Sequence, residues 1–181
     1  MAAPVPPRRD WGWHALVDDW AARVVSDAAI RPGELVLDIG AGTGALTAHL
    51  VAAGAHVVAV ELHADRVRRL RARFSPWVTL VCADAASLRL PRRPFRVVAS
   101  PPYAITSVLL RALLAPGSRL VAADLVLQRA VVTRYAAGGA PGAGRWSRQW
   151  DLRVGRGVPR RAFRPPPRTD SAVLVVRRRI P

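Results

Sequence analysis

Lysine and asparagine are missing altogether from the 181 residues, and acids are scarce: 28 Lys+Arg, every one an arginine, face 12 Asp+Glu for a net charge of +16. The loss of two residues with AT-rich codons, beside abundant Ala, Arg, Pro and Gly, points to a GC-rich coding sequence. Codon bias accounts for arginine in place of lysine, but it does not account for so few acids. An excess of this size is the electrostatic footprint of a nucleic-acid binder. A single cysteine, Cys82, rules out a disulfide framework, and its place inside the strand-like "TLVCAD" predicts a buried core thiol in a reducing cytoplasm. No apolar run approaches the roughly 18 residues of a membrane-spanning helix, and the opening "MAAPVPPRRDW" lacks the apolar stretch of a secretory signal. The expectation is a soluble cytoplasmic monomer, neither membrane-bound nor exported, with no protein partner implied.

One hydrophobic core suits this length, and a second does not. Residues 1–12 read as a basic N-terminal arm and residues 13–181 as a single domain. From Trp13 to Ile30, Leu16, Trp20, Val24 and Ala28 recur four apart, which predicts a helix that stops before Arg31-Pro32-Gly33. Apolar runs then alternate with amphipathic ones: "ELVLDIG", "TGALTAHLVAAG", "AHVVAVEL", "ADRVRRLRARF", "WVTLVCAD", "FRVVAS", "ITSVLLRALLA", "RLVAADLVLQ". Near-continuous apolar strands in a βαβα order predict a doubly wound α/β fold, a mostly parallel sheet with helices on both faces. After the loop "AGGAPGAG", "WDLRVG" and "SAVLVVRRR" read as final antiparallel strands.

"LVLDIGAGTGAL" closes a strand at Asp38 and opens a helix through Gly40, Gly42 and Gly44. Such glycines let a ligand approach backbone N–H groups at a helix N-terminus, and the string also meets the loose dinucleotide pattern G-x-G-x-x-A, with Ala45 last. Three acids weigh against a dinucleotide. Asp38 precedes the first glycine, where it can accept from an ammonium group. Glu61 ends the next strand, placed for ribose hydroxyls, and Asp84 ends the third, placed for an adenine amino group. All three stand at strand C-termini, where ligands of open α/β sheets bind, and together they suit an amino-acid nucleoside.

The fourth strand ends in Ser100-Pro101-Pro102-Tyr103. Prolines fix φ and donate nothing, so the Ser100 hydroxyl and the Pro101 carbonyl can be held as two acceptors for one –NH2 group. An exocyclic amine on adenine or cytosine is a poor nucleophile because its lone pair is delocalised. Two hydrogen bonds to its protons favour a more tetrahedral nitrogen, able to attack a sulfonium methyl in line, while Tyr103 stacks on the base.

In that order "DIGAGTG", "VAVEL", "CADA" and "ASPPY" resemble a class I S-adenosylmethionine-dependent amino-methyltransferase with a mostly parallel, seven-stranded Rossmann-like sheet. "PRRAFRPPPRTDSAVLVVRR" resembles the F-x-P-x-P-x-V-D-S segment of the Erm and ribosomal-RNA adenine dimethyltransferase family, and "WGWHALVDDWAARVV" its N-terminal motif. Within that family the chain is most similar to the short mycobacterial Erm-type proteins, which lack a helical C-terminal domain. The resemblance implies S-adenosyl-L-methionine as cofactor, held by His14, Leu16, Asp38, Gly40, Gly42, Gly44, Glu61, Asp84, Ala85 and Ser100. It implies catalysis by Ser100, Pro101, Tyr103 and Phe163, the two rings holding a flipped adenine. The implied substrate is an adenine in the peptidyl-transferase region of 23S rRNA, whose N6-methylation blocks macrolides, lincosamides and streptogramin B. Arg160, Arg161, Arg164, Arg168, Arg177, Arg178 and Arg179 would then contact the RNA.

The chain departs from the family pattern at three places. Ser100 stands where Asn is usual, and Ser-Pro-Pro-Tyr is familiar among cytosine-N4 methyltransferases. Trp13 and Ala15 replace the usual Gln and Phe, and no separate C-terminal RNA-binding domain is expected. A DNA N6-adenine or N4-cytosine methyltransferase is therefore one alternative, and a non-catalytic RNA-binding protein on the same fold is another. His49, His56 and His63 fall in a helix, a strand and a loop, so no metal site is inferred. Trp146 and Trp150, beside arginines, suit either base stacking or packing.

Overall fold

The computed structural model describes residues 14–179, so the arm at 1–12 lies outside the described residues. Strands β1 (Ala15–Leu16), β2 (Leu35–Ile39), β3 (His56–Glu61), β4 (Val78–Cys82), β5 (Phe95–Ala99), β6 (Leu120–Gln128), β7 (Trp150–Val158), β8 (Phe163–Arg164) and β9 (Ser171–Arg178) alternate with α1 (Asp18–Ala28), α2 (Ala45–Ala52), α3 (Ala64–Phe74), α4 (Thr106–Leu113), α5 (Arg129–Ala136) and the short α6 (Ala143–Trp146). Seven strands form one sheet in the order β4-β3-β2-β5-β6-β9-β7. The first five are parallel, and β9 runs antiparallel to both β6 and β7. This is the doubly wound α/β sheet expected from the sequence.

Side-chain alternation divides the core. Val36, Val98, Val126 and Val173 face α1, α2 and α3, whereas Leu37, Val97, Leu125 and Leu174 face α4 and α5. From β2 the chain winds outward to β3 and β4, then returns to place β5 on the other side of β2. The topological switch thus falls between β2 and β5, where open α/β sheets leave a crevice at their carboxyl edge.

On the α1 face the apolar alternation is interrupted by a partly buried cation. Arg96, in the middle of β5, donates to the carbonyls of Ala28 and Ala29 at the C-terminus of α1 and to Glu34 Oε2 at 2.9 Å, and lies 3.8 Å from Asp124 Oδ2. Arg177 reaches the other Asp124 oxygen at 2.9 Å. One guanidinium therefore caps a helix and shares a buried carboxylate with a second.

Two expectations need correction. The helix does not run from Trp13 to Ile30: it begins at Asp18, because Leu16 is drawn into an antiparallel two-residue ribbon with Phe163. Trp13 itself lies outside the described residues. Cys82 is exposed, not buried, because β4 is the edge strand of the sheet and its last residue has no neighbour on that side. Trp150 proves to be core, covered by the Arg178 guanidinium 4.3 Å from its ring, and Trp146 stacks on Tyr135 with centroids 5.9 Å apart. Among the described residues no helix is long and apolar enough to cross a membrane, and no group of three or more His, Cys, Asp or Glu is placed to hold a metal ion.

Candidate active site

At the switch point a cavity is lined by His14, Leu16, Asp38, Gly42, Thr43 and Ser100, among others. Gly40 explains how β2 and β5 can both open into it. Its φ is +79°, and a Cβ there would sit 3.1 Å from Pro102 Cδ and 3.4 Å from Pro101 Cα, so only glycine lets the two strand ends approach this closely. The Ser100-Pro101-Pro102 loop is thereby seated directly against the glycine turn.

Asp38 is 1 % exposed, and burial pushes its carboxyl up to about 7 despite a 2.6 Å hydrogen bond donated by Thr47 to Oδ2. Glu61 ends β3 one strand away, 5 % exposed, accepting from the Gly42 amide (2.9 Å) on Oε2 and the His63 amide (3.0 Å) on Oε1. Each of its oxygens retains a lone pair. Asp84 follows β4 two strands away, where Oδ1 caps the 3₁₀ turn that begins with Ala85 by accepting from the Ala86 amide. The three acids predicted to bind one ligand thus share the carboxyl edge of three adjacent strands.

This arrangement rejects a dinucleotide pyrophosphate. The amides of Gly40 and Ala41 donate to the Val60 carbonyl, Gly42 to Glu61 and Gly44 to the Ala41 carbonyl, so few donors of the turn are left for an anion. The buried Asp38 carboxyl beside it would repel one when ionised. A ligand carrying an ammonium gains from the same charge.

His14, which lines the cavity, brings two further rings close to it. His14 has its ring centroid 6.1 Å from Tyr103 and 6.5 Å from Phe163, meeting Phe163 edge-on, and its Nδ1 is 2.8 Å from the Pro165 carbonyl. Phe163 is buried at 1 % exposure, while Tyr103 is half-buried with its phenol 2.7 Å from Ser171 Oγ. Arg160, Arg161, Arg164 and Arg168 are all exposed around this ribbon. Arg177, Arg178 and Arg179 are not brought together with them. They end β9 at the opposite edge of the sheet, seven residue steps or about 23 Å from Ser171. Arg177 holds Asp124 and two carbonyls, Arg178 the carbonyls of Leu120 and Ser118, and Arg179 the carbonyl of Trp150.

Sequence reasoning missed Thr47 and Ser171. Thr47 carried a signal, a hydroxyl on the apolar α2 nine residues after Asp38; Ser171 closes the F-x-P-x-P-x-V-D-S resemblance, which gave it no role of its own.

Residues 8–181 match the family described as ribosomal RNA adenine dimethylase. The chain belongs to that family. Among dimethylase-family relatives, ribosomal RNA small subunit methyltransferase A of Anaeromyxobacter sp. (strain K) is 38 % identical over 189 residues, covering 92 % of this chain and 66 % of the relative. The mycinamicin-resistance protein MyrB of Micromonospora griseorubida is 36 % identical over 177 residues, covering 95 % of this chain and 56 % of that protein. The crystal structure of the 23S rRNA methyltransferase ErmE superimposes with a TM-score of 0.79 at 31 % identity, over 91 % of this chain and 69 % of that one. The chain thus spans just under two thirds of the length of the small-subunit relative. The cofactor of this dimethylase-family chain is S-adenosyl-L-methionine, and Asp38, the carboxylate among the residues lining the cavity, fits its ammonium group.

Proposed function

We propose that the protein transfers a methyl group to N6 of an adenine in ribosomal RNA, and that the adenine lies in the peptidyl-transferase region of 23S rRNA, giving resistance to macrolide, lincosamide and streptogramin B antibiotics. The observation that carries this reading is the Ser100-Pro101-Pro102 loop packed on Gly40 beside a cavity lined by Asp38. S-adenosyl-L-methionine supplies an electrophilic methyl group when bound. His14, Leu16, Asp38, the glycine turn, Glu61, Asp84 and Ala85 hold it, Asp38 accepting from the ammonium and Glu61 from the ribose. The Ser100 hydroxyl and the Pro101 carbonyl would accept hydrogen bonds from the two amine hydrogens of the adenine and so orient its lone pair. Tyr103 and Phe163 stack on the extruded base. Phe163, 1 % exposed among core residues with the His14 ring edge-on to it, must be uncovered for this. The exposed Arg160, Arg161, Arg164 and Arg168 ring the entrance and suit phosphates.

The large-subunit target is supported by the resistance protein MyrB and by ErmE. The small-subunit relatives support a second reading, an adenine of 16S-type RNA. Incubation with labelled cofactor and separate large-subunit RNA, small-subunit RNA and DNA, followed by mapping of the modified nucleotide, decides. N6-methyladenine in the large-subunit RNA is expected; label in DNA or on cytosine, or none, overturns the proposal. Ser100→Ala should slow single-turnover transfer by about 10²–10³, the loss of one preorganised acceptor, with cofactor affinity little changed.

A further inference from the structure

Asp170 and Ser171, where the chain enters β9, tie three parts of the entrance together. The Asp170 carboxylate accepts from the Arg160 amide at 2.8 Å, and its carbonyl accepts from the Arg129 amide at the start of α5. The Ser171 hydroxyl meets the Tyr103 phenol at 2.7 Å. Ser171 is 1 % exposed and pairs with Gln128 on one side and Val158 on the other, so its backbone is fixed by two ladders. Tyr103 has no such support. It begins a three-residue 3₁₀ turn, Tyr103–Ile105, after two prolines that donate no hydrogen bond.

A tyrosine ring held only at Cα swings about χ1 and turns about χ2. A bond at its far end, to a side chain that cannot move, removes both freedoms. Resting on the adenine-methylation reading above, we propose that Ser171 is a positioning residue: through the phenol it sets the plane of the Tyr103 ring on which the extruded adenine stacks, while Asp170, through the Arg160 amide, holds the turn that carries Phe163. Neither residue touches the base. Their contribution is orientation, because an amine presented off-line from the methyl group reacts more slowly even when bound.

The pair is tested with Ser171→Ala, Tyr103→Phe and the double variant. The chain has two tyrosines, so ring-13C tyrosine labelling gives one signal set for Tyr103 and one for Tyr135, which reports folding. In Ser171→Ala the Tyr103 set should shift while that of Tyr135 stays, and S-adenosyl-L-methionine affinity should remain within about twofold. Single-turnover methyl transfer should fall about five- to tenfold in either single variant, the size of one net hydrogen bond, and no further in the double. Losses that multiply in the double variant, or an unchanged Tyr103 signal, overturn the inference while wild-type methyl transfer stands. If the wild type methylates no ribosomal adenine, the functional reading has failed instead. A Tyr103 signal that still answers to Ser171→Ala then marks the pair as structural and ends the positioning role.

Discussion

Replacing Asp38 with Asn should make the protein more stable and a poorer binder of its cofactor. Asp38 is buried, and its carboxyl is raised from 3.8 to about 7 because burial disfavours the charged form. Between those values the folded chain keeps a proton that the unfolded chain releases. Stability contributed by this group therefore falls as pH rises from about 4 to 7, by up to roughly 4 kcal/mol for three pKa units. The amide that replaces the carboxyl does not titrate, and its oxygen can still accept from Thr47 Oγ1, which lies 2.6 Å from the present carboxylate. The advantage of Asp38→Asn should thus be near zero at pH 4 and grow to about 2–4 kcal/mol at pH 8, or several degrees in melting temperature for a chain of this size. S-adenosyl-L-methionine should narrow that gap. It should stabilise the wild type more at pH 8 than at pH 5, as the ionised carboxylate accepts from the ammonium, and should stabilise the variant about 1–3 kcal/mol less. Thermal unfolding across pH, with and without cofactor, measures both effects. A stability difference that does not change between pH 4 and 8 would refute the reasoning, since it would mean that Asp38 titrates alike in the folded and unfolded chains.

Arg96→Ala leaves buried Asp124 with one cation fewer and uncaps α1, so chemical denaturation at pH 7 should register a loss of about 3–5 kcal/mol. A loss below about 1 kcal/mol would mean that the guanidinium only fills space. Removing Arg164 and Arg168 together should lower the salt slope of RNA binding by about 0.7–0.9 for each phosphate no longer neutralised. Arg178→Ala should leave that slope unchanged and lower the melting temperature, because its guanidinium serves Leu120, Ser118 and the Trp150 ring; the opposite pattern would place the RNA on the far edge of the sheet.

The parallel strands were legible because strands buried on both faces read as continuous apolar runs, and the three acids because each closes such a run. Strand neighbours were not. The same continuity in "TLVCAD" cannot tell an edge from a centre, which is why Cys82 was misplaced. The ribbon of Leu16 with Phe163 joins residues 147 apart in sequence through two-residue strands, too short for any periodicity to announce. The arginines at 177–179 read as a free basic run because sequence shows their charge but not the carbonyls of β6 that use it. Arg96 did carry a signal, a cation inside "FRVVAS", whose partners come from α1 and β6 and are not local.

The position of β9 between β6 and β7 has a consequence for the order in which the molecule assembles. Asp38, Glu61 and Asp84 all stand in strand–helix units whose parallel partners lie within some 60 residues of one another, so the cofactor shelf can form from the early chain. β7, although made first, shares no ladder with β6 and must wait for residues 171–178 to arrive between them. A chain caught before β9 inserts has its shelf of acids but neither Ser171 behind Tyr103 nor Asp170 behind the turn of Phe163. On the proposed reading, the residues assigned to the cofactor are thus built early, and those assigned to the base are completed only when the last strand closes the sheet.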